Sequence, residues 1–190
     1  MIVLRSLLFV VFQFALTPPY AFLSVLTAPL TPFTRFYVIS GWSRILLWVA
    51  RPLLGIDFRV EGREHLPQTP SVILSKHQSA WETLKLHLLF DFPAVVLKRE
   101  LMQIPIWGWF AAKLGVIPVD RGAGSRALNS MVAGARRVVA EGRPIVIFPQ
   151  GTRTAPGARH PYRIGAGVLY TQLGVPMVPL ALNSGLYWPR

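Results

Sequence analysis

The 190-residue chain contains no cysteine. Disulfides, thiolate metal sites and a thiol nucleophile are thereby excluded. Acidic residues are scarce, 8 Asp+Glu against 20 Lys+Arg, for a formal net charge of +12. Lysine is scarce too, and arginines outnumber it sixteen to four. A planar guanidinium grips phosphate or carboxylate bidentately. The charge balance therefore points to nucleic acid, anionic lipid or a phosphorylated substrate. A hydrophobic content of 52% and six tryptophans argue against a nucleic-acid-binding arm and for a membrane surface. Metal-ligand spacing is missing as well: His65, His77, His87 and His160 form neither H-x-x-x-H nor H-E-x-x-H. There is no phosphate-binding G-x-x-x-x-G-K-S/T loop, no G-x-S-x-G elbow, no internal repeat and no low-complexity tract.

Charge of either sign is absent from Ser6 to Thr34. Length alone would allow a transmembrane helix, but Pro18-Pro19, Pro29 and Pro32 interrupt the stretch. Met1–Thr17 would give about 25 Å of helix, short of a hydrocarbon core of about 30 Å. The expectation is a re-entrant helical hairpin, with a single tilted span as the alternative. A hairpin places Arg5 and Arg35 at one interface, the cytoplasmic one by the positive-inside rule. A longer helix is expected over Phe33–Leu54, carrying Arg35, Arg44 and Arg51 without an acid. Trp42 and Trp48 suit the headgroup layer. Residues 1–55 thus read as membrane-associating helices, and 56–190 as a separate domain.

From Ile56 onward, apolar strand patterns alternate with helical ones. Strands are expected at Asp57–Val60, Ser71–Ser75, Ala94–Leu97, Gly115–Val119, Pro144–Phe148 and Val175–Leu182. Helices are expected at Ser79–Phe90, Pro105–Lys113, Ser125–Glu141 and Gly165–Leu173. In the third of these, Leu128, Met131, Val132, Ala135, Val138 and Val139 recur at three- and four-residue steps. Such alternation implies an α/β fold: a mixed, largely parallel sheet flanked by helices, preceded by the hydrophobic N-terminal hairpin.

Four turns just past expected strands carry the chemistry. The first is Ser75-Lys-His-Gln-Ser-Ala-Trp-Glu82. Two side chains five residues apart within one helix lie roughly 140° apart and do not meet. If His77 sits in the loop and the helix opens near Ser79, the loop folds His77 back over the first turn. Glu82 then accepts from one ring nitrogen and leaves the other free to take a proton. The same residues also spell a capping box, S-x-x-E, in which Glu82 serves only the helix start. The second turn is Phe148-Pro-Gln-Gly-Thr-Arg153. Gly151 would let the backbone approach a ligand, Thr152 offers a hydroxyl, and Arg153 offers a fork that matches phosphate oxygens. The third delivers Asp120-Arg121 and the fourth Lys98-Arg99-Glu100. Each basic turn is equally readable as a solvated surface loop. Together with the histidine turn they line the carboxyl ends of strands, where α/β sheets bind ligands.

In order and spacing these blocks resemble the glycerolipid acyltransferase family, from about Val72 to about Leu182. The first block is His77-x-x-x-x-Glu82. The second runs from Lys98-Arg-Glu-Leu101 through Ile104-Pro-Ile-Trp-Gly108 to Val116-Ile-Pro-Val-Asp-Arg121. The third is Phe148-Pro-Gln-Gly-Thr-Arg153, and the fourth Val175-Pro-Met-Val-Pro179. The resemblance implies transfer of a fatty acyl group from acyl-CoA or acyl-ACP to the free hydroxyl of lysophosphatidic acid, with no bound cofactor, metal or nucleic acid. It implies a His77–Glu82 catalytic dyad, backbone N–H groups near the helix start for the oxyanion, and Arg153 with Gly151 and Thr152 on the acceptor phosphate, assisted by Arg121 and Lys98. It also implies membrane association, with the active site facing the cytoplasm and a bacterial inner membrane as the setting. Three departures stand out. The dyad acid is usually aspartate, Gln150 replaces a usual glutamate, and family members usually continue beyond Tyr187-Trp-Pro-Arg190. The last two support an alternative, a catalytically inactive lipid-binding protein. A different lyso-lipid acceptor is the alternative within the enzyme class.

Overall fold

The computed structural model describes residues 1–105 and 107–189. Ile106, in the helix expected over 105–113, and Arg190 lie outside the described residues. Two compact units divide between Arg63 and Glu64.

The first unit is built on two helices, α1 (Ile2–Leu26) and α2 (Pro32–Leu54), which pack against each other. The arms differ from the expected ones. Pro18 and Pro19 lie inside α1 and do not end it, so the first helix runs well past the expected Met1–Thr17 and α2 packs on it as the second arm. Each proline deletes one backbone hydrogen bond. Apolar helices withstand that loss where neighbouring groups satisfy the freed carbonyls. At 25 residues α1 is about 37 Å long, long and apolar enough to cross a membrane, and little of it is buried. The connection after α1 is gathered by Arg35, whose guanidinium donates to the carbonyls of Thr27, Ala28 and Leu30. Thr31 caps α2 by accepting from the Thr34 N–H. Phe36, Ile39, Ser40, Ser43, Leu46 and Ala50 form the buried stripe of α2. At Gly41 there is no room for a side chain, because Tyr20 of α1 lies across it.

The strand expected over Asp57–Val60 is absent; the segment is irregular. Its side chains alternate but neither apolar member is buried: Phe58 stays exposed and Val60 half-buried. Asp57 instead pairs with Arg51 at 3.0 Å and accepts the Phe58 N–H. A lone alternating run without a neighbouring edge or a core face does not make a strand.

The second unit holds a five-stranded sheet of β1 (Val72–Ser75), β2 (Ala94–Lys98), β3 (Ile117–Val119), β4 (Ile145–Ile147) and β5 (Met177–Leu180) in the order β3-β2-β4-β1-β5. Every pairing is parallel. Parallel neighbours need crossovers, supplied by α3 (Trp81–Leu89), α4 (Trp107–Lys113), α5 (Ser125–Ala140) and α6 (Gly165–Leu173). The β-branched runs of the inner strands β1 and β4 are short and buried on both faces, as such sheets require. Val72, Ile145 and Ile147 face a core with Met131, Ala135 and Val138 of α5 and Leu169 of α6. The alternate residues Ile73 and Val146 face Leu86 of α3 on the other side. A short helix, α7 (Ser184–Tyr187), follows β5. All strands point one way, so the turns after β1, β2, β3 and β4 open on one edge.

Candidate active site

β1 ends at Ser75, and the chain turns at Lys76-His77-Gln78 before α3 opens. Glu82 sits in the first turn of α3 and is fully buried. His77 Nδ1 lies 2.5 Å from Glu82 Oε2. The carboxylate also accepts the N–H groups of Gln78, at 2.9 and 3.0 Å to its two oxygens, and of Ser79, at 2.9 Å. The Ser79 hydroxyl accepts the Trp81 N–H. Capping and bracing, alternatives on spacing, are thus one arrangement. The side chain that satisfies the orphan donors of the helix start also holds the imidazole. Part of this opening is already engaged. The N–H groups of Gln78 and Ser79 serve Glu82, and those of Trp81 and Thr83 are bonded to Ser79 and Ala80. These four donors at the opening of α3 are not directed at an oxyanion.

The turn after β4 holds His77 from the other side. Phe148 stacks on the imidazole, with ring centroids 4.1 Å apart and planes 25° from parallel. Gln150, almost fully buried, accepts the His77 N–H through Oε1 at 3.2 Å. Thr154 donates its N–H to the His77 carbonyl at 2.8 Å and its hydroxyl at 3.3 Å. This gives Gln150 a role that needs an acceptor oxygen but no charge, so an amide performs it. With Nδ1 on a carboxylate and the ring 14% exposed, the N–H belongs on Nδ1. Nε2 then keeps its lone pair for a substrate proton.

The basic turns converge in part. Arg121, just past β3, donates from Nη1 to the Gly151 carbonyl. Gly151 has φ +72, and a Cβ there would lie 2.7 Å from Arg163 Nε and 3.7 Å from Arg121 Nη1. Two guanidinium side chains therefore flank one glycine in the turn that positions His77. Burial, and next the charge of Arg163, push the pKa of Arg121 below its ordinary value; Glu100 partly offsets them. Arg121 stays protonated at any working pH, and the mutual repulsion favours an anion beside the pair. Lys98 closes β2 but its ammonium lies 3.0 Å from Glu100 on the surface. A backbone N–H, then Lys98, and more weakly Arg121, hold the Glu100 carboxyl below the usual carboxylate range. Thr152 and Arg153 are exposed at the rim of the turn.

Sequence reasoning missed Arg163, Phe148 and Ser184. Arg163 follows the third block by ten residues, and its only local signal is the basic tract Arg159-His-Pro-Tyr-Arg163. Ser184 donates its hydroxyl to Glu82 Oε1 across 102 residues of sequence, for which no local pattern exists.

The family sequence model described as Acyltransferase matches residues 57–183. The chain belongs to the acyltransferase family. Among acyltransferases, a 1-acyl-sn-glycerol-3-phosphate acyltransferase of Pseudomonas aeruginosa is 38% identical over 189 residues, covering 98% of this chain and 74% of the relative. Proteins of that same name from Saccharomyces cerevisiae, at 30% identity, and, as the alpha form, from Mus musculus, at 34%, align with 77% and 74% of the chain. The chain spans only about half the length of those two. Among solved acyltransferase structures, the 1-acyl-sn-glycerophosphate (LPA) acyltransferase of Thermotoga maritima shares the fold. It superposes with a TM-score of 0.70 at 21% identity, covering 93% of this chain and 73% of that one.

Proposed function

We propose that this acyltransferase moves a fatty acyl group from an acyl thioester, acyl-CoA or acyl-ACP, to the free hydroxyl of 1-acyl-glycerol-3-phosphate, giving phosphatidic acid. The observation that carries the reading is the buried Glu82 holding His77 Nδ1 at 2.5 Å, at the carboxyl edge of a parallel sheet and backbone-bonded to a turn flanked by guanidinium groups. Nε2 takes the hydroxyl proton as that oxygen bonds to the thioester carbonyl carbon. Glu82 keeps the tautomer and stabilises the imidazolium that forms. The tetrahedral adduct then expels the thiolate, which recovers the proton from Nε2. No acyl-enzyme forms, which agrees with a chain without cysteine. Base assistance of this kind contributes about 10²–10⁴-fold.

Arg121 and Arg163 beside Gly151, with Arg153 and the Thr152 hydroxyl at the rim, supply the cationic side for the acceptor phosphate. Lys98, engaged with Glu100, would assist only by exchanging that partner. The exposed apolar length of α1 and the net charge of +12 support association with an anionic membrane, with the active site on the cytoplasmic side. Gln150 does not favour an inactive protein, because its buried amide serves the dyad backbone.

The test is thiol release by the purified full chain, with acyl-CoA and acyl-ACP, on acceptors with and without a phosphate. His77→Ala is expected to abolish transfer with the fold retained, and Arg153→Ala and Arg121→Ala to depress transfer mainly to phosphorylated acceptors. Near-normal turnover by His77→Ala would remove the mechanism. Equal losses on all acceptors would remove the phosphate assignment.

A further inference from the structure

We propose that Ser184 is a positioning residue of the dyad, the third side chain of a His77–Glu82–Ser184 relay. The proposal rests on His77 being the base. A carboxylate offers about four lone-pair sites on its two oxygens. Around Glu82 they meet four donors: the Gln78 N–H, shared by both oxygens, the Ser79 N–H, the His77 Nδ1–H and the Ser184 hydroxyl. Oε1 takes Ser79 and Ser184, and Oε2 takes the histidine. Three donors besides the histidine thus hold the carboxylate, all of them on Oε1 and one shared with Oε2. Ser184 is the only one of them from outside the β1–α3 turn. It reaches Glu82 from the start of α7, beyond β5.

The docking of that segment is built in detail. The Gly185 N–H donates to Gln78 Oε1 at 3.3 Å. A Cβ on Gly185 would lie 2.8 Å from Gln78 Cβ and 3.0 Å from Pro156 Cγ, so only glycine lets the segment approach. Glu82 is fully buried and Ser184 is 9% exposed. A donor lost here is not simply replaced by bulk water, and a buried bond to a charged acceptor is among the strong ones. Without it the carboxylate regains freedom to rotate. The imidazole then spends less time with Nε2 aimed at the acceptor hydroxyl, which slows the chemical step without weakening either substrate's grip.

The experiment compares wild type with Ser184→Ala, Ser184→Thr and His77→Ala. It records kcat and both KM values, the melting temperature, and the His77 ring N–H resonance in ¹⁵N-histidine-labelled protein. Ser184→Ala is expected to lower kcat about tenfold, the scale of one hydrogen bond to a charged partner. Both KM values should stay within about twofold, and the ring resonance should move. Ser184→Thr, which keeps the hydroxyl, should recover most of kcat. Wild-type kcat and an unmoved resonance in Ser184→Ala would overturn the proposal. So would a lowered melting temperature with kcat per folded molecule unchanged, or a fully folded Ser184→Thr that recovers nothing. If wild type itself transfers no acyl group, the function proposed above fails. The resonance still decides whether Ser184 positions the pair.

Discussion

At the residue scale the site depends on side chains that do two things at once. Glu82 accepts N–H groups at the opening of a helix and holds the His77 imidazole, and Gln150 fills a buried position while holding the His77 backbone. Gly151 is similar. Its φ of +72 is left-handed, and the space a Cβ would fill is taken by Arg163. Gly151→Ala meets both constraints. The backbone cost is about 1–2 kcal/mol, and the displaced Arg163 side chain loses its place beside Arg121. The expected outcome is a melting temperature lowered by a few degrees and a KM for the phosphorylated acceptor raised several-fold, with kcat changed less. Steady-state kinetics with lysophosphatidate and a thermal scan check it. A KM unchanged in a folded variant would mean that the Arg121–Arg163 pair does not touch the acceptor.

At the scale of elements, the two edges of the sheet divide the labour. The carboxyl edge carries the candidate site, and the amino edge is tied down by Arg143, just ahead of β4. Its guanidinium donates to the Phe92 carbonyl at 2.8 Å, to Glu141 at 2.9 Å and to the Leu114 carbonyl at 3.3 Å. It also stacks over the Phe92 ring at 3.6 Å from the centroid. One buried side chain thus joins the segments entering β2, β3 and β4. Arg143→Met keeps most of the volume and removes every hydrogen bond. A loss of about 3 kcal/mol is expected from two or three bonds with a charged donor, one of them to a partly exposed acid. For a chain of this size that lowers the melting temperature by roughly 6–12 °C. The KM values at low temperature should not change, because the site lies at the opposite edge. Differential scanning fluorimetry and low-temperature kinetics separate the two effects.

At the scale of the whole molecule, an apolar helix and a strong positive charge would each act on an anionic membrane, by different physics. Met1, Ile2, Val3, Leu4, Val11 and Phe14 of the N-terminal stretch are well exposed, and the formal charge is +12. Burial of apolar surface does not fade with salt, whereas attraction to anionic headgroups decays over a Debye length of about 8 Å at physiological ionic strength. The full chain is therefore expected to co-sediment with vesicles of neutral and of anionic lipid. High salt should erase the preference for anionic vesicles and leave the binding. Release of the bulk of the protein by salt alone would mean that α1 does not enter the bilayer.

Much of the candidate site is legible along the chain because it is local. His77 and Glu82 are five residues apart, and the strand–turn–helix spacing around them allows them to meet, beside the reading in which Glu82 serves only the helix start. The same holds for the alternation of strands and helices from Val72 to Leu180, where periodicity is a property of adjacent residues. Local pattern misleads where long-range context overrules it. Asp57–Val60 alternates like a strand but finds no sheet edge, and Pro18-Pro19 punctuates a stretch that continues as one helix.

What the amino-acid order determined by itself was the candidate His77–Glu82 pair, a largely parallel α/β class, the apolar N-terminus and a set of arginines just past strands. Tertiary structure alone decided which arginines act together and what surrounds Glu82. Arg121 reaches the Gly151 carbonyl over 30 residues, Gln150 the His77 N–H over 73, and Ser184 the Glu82 carboxylate over 102. The strand order β3-β2-β4-β1-β5 sets the segment after β1 between those after β4 and β5, and Arg121 reaches from β3 past β2 to the turn after β4. Strand order is chosen by the packing of both sheet faces at once, and no window of neighbouring residues contains that information.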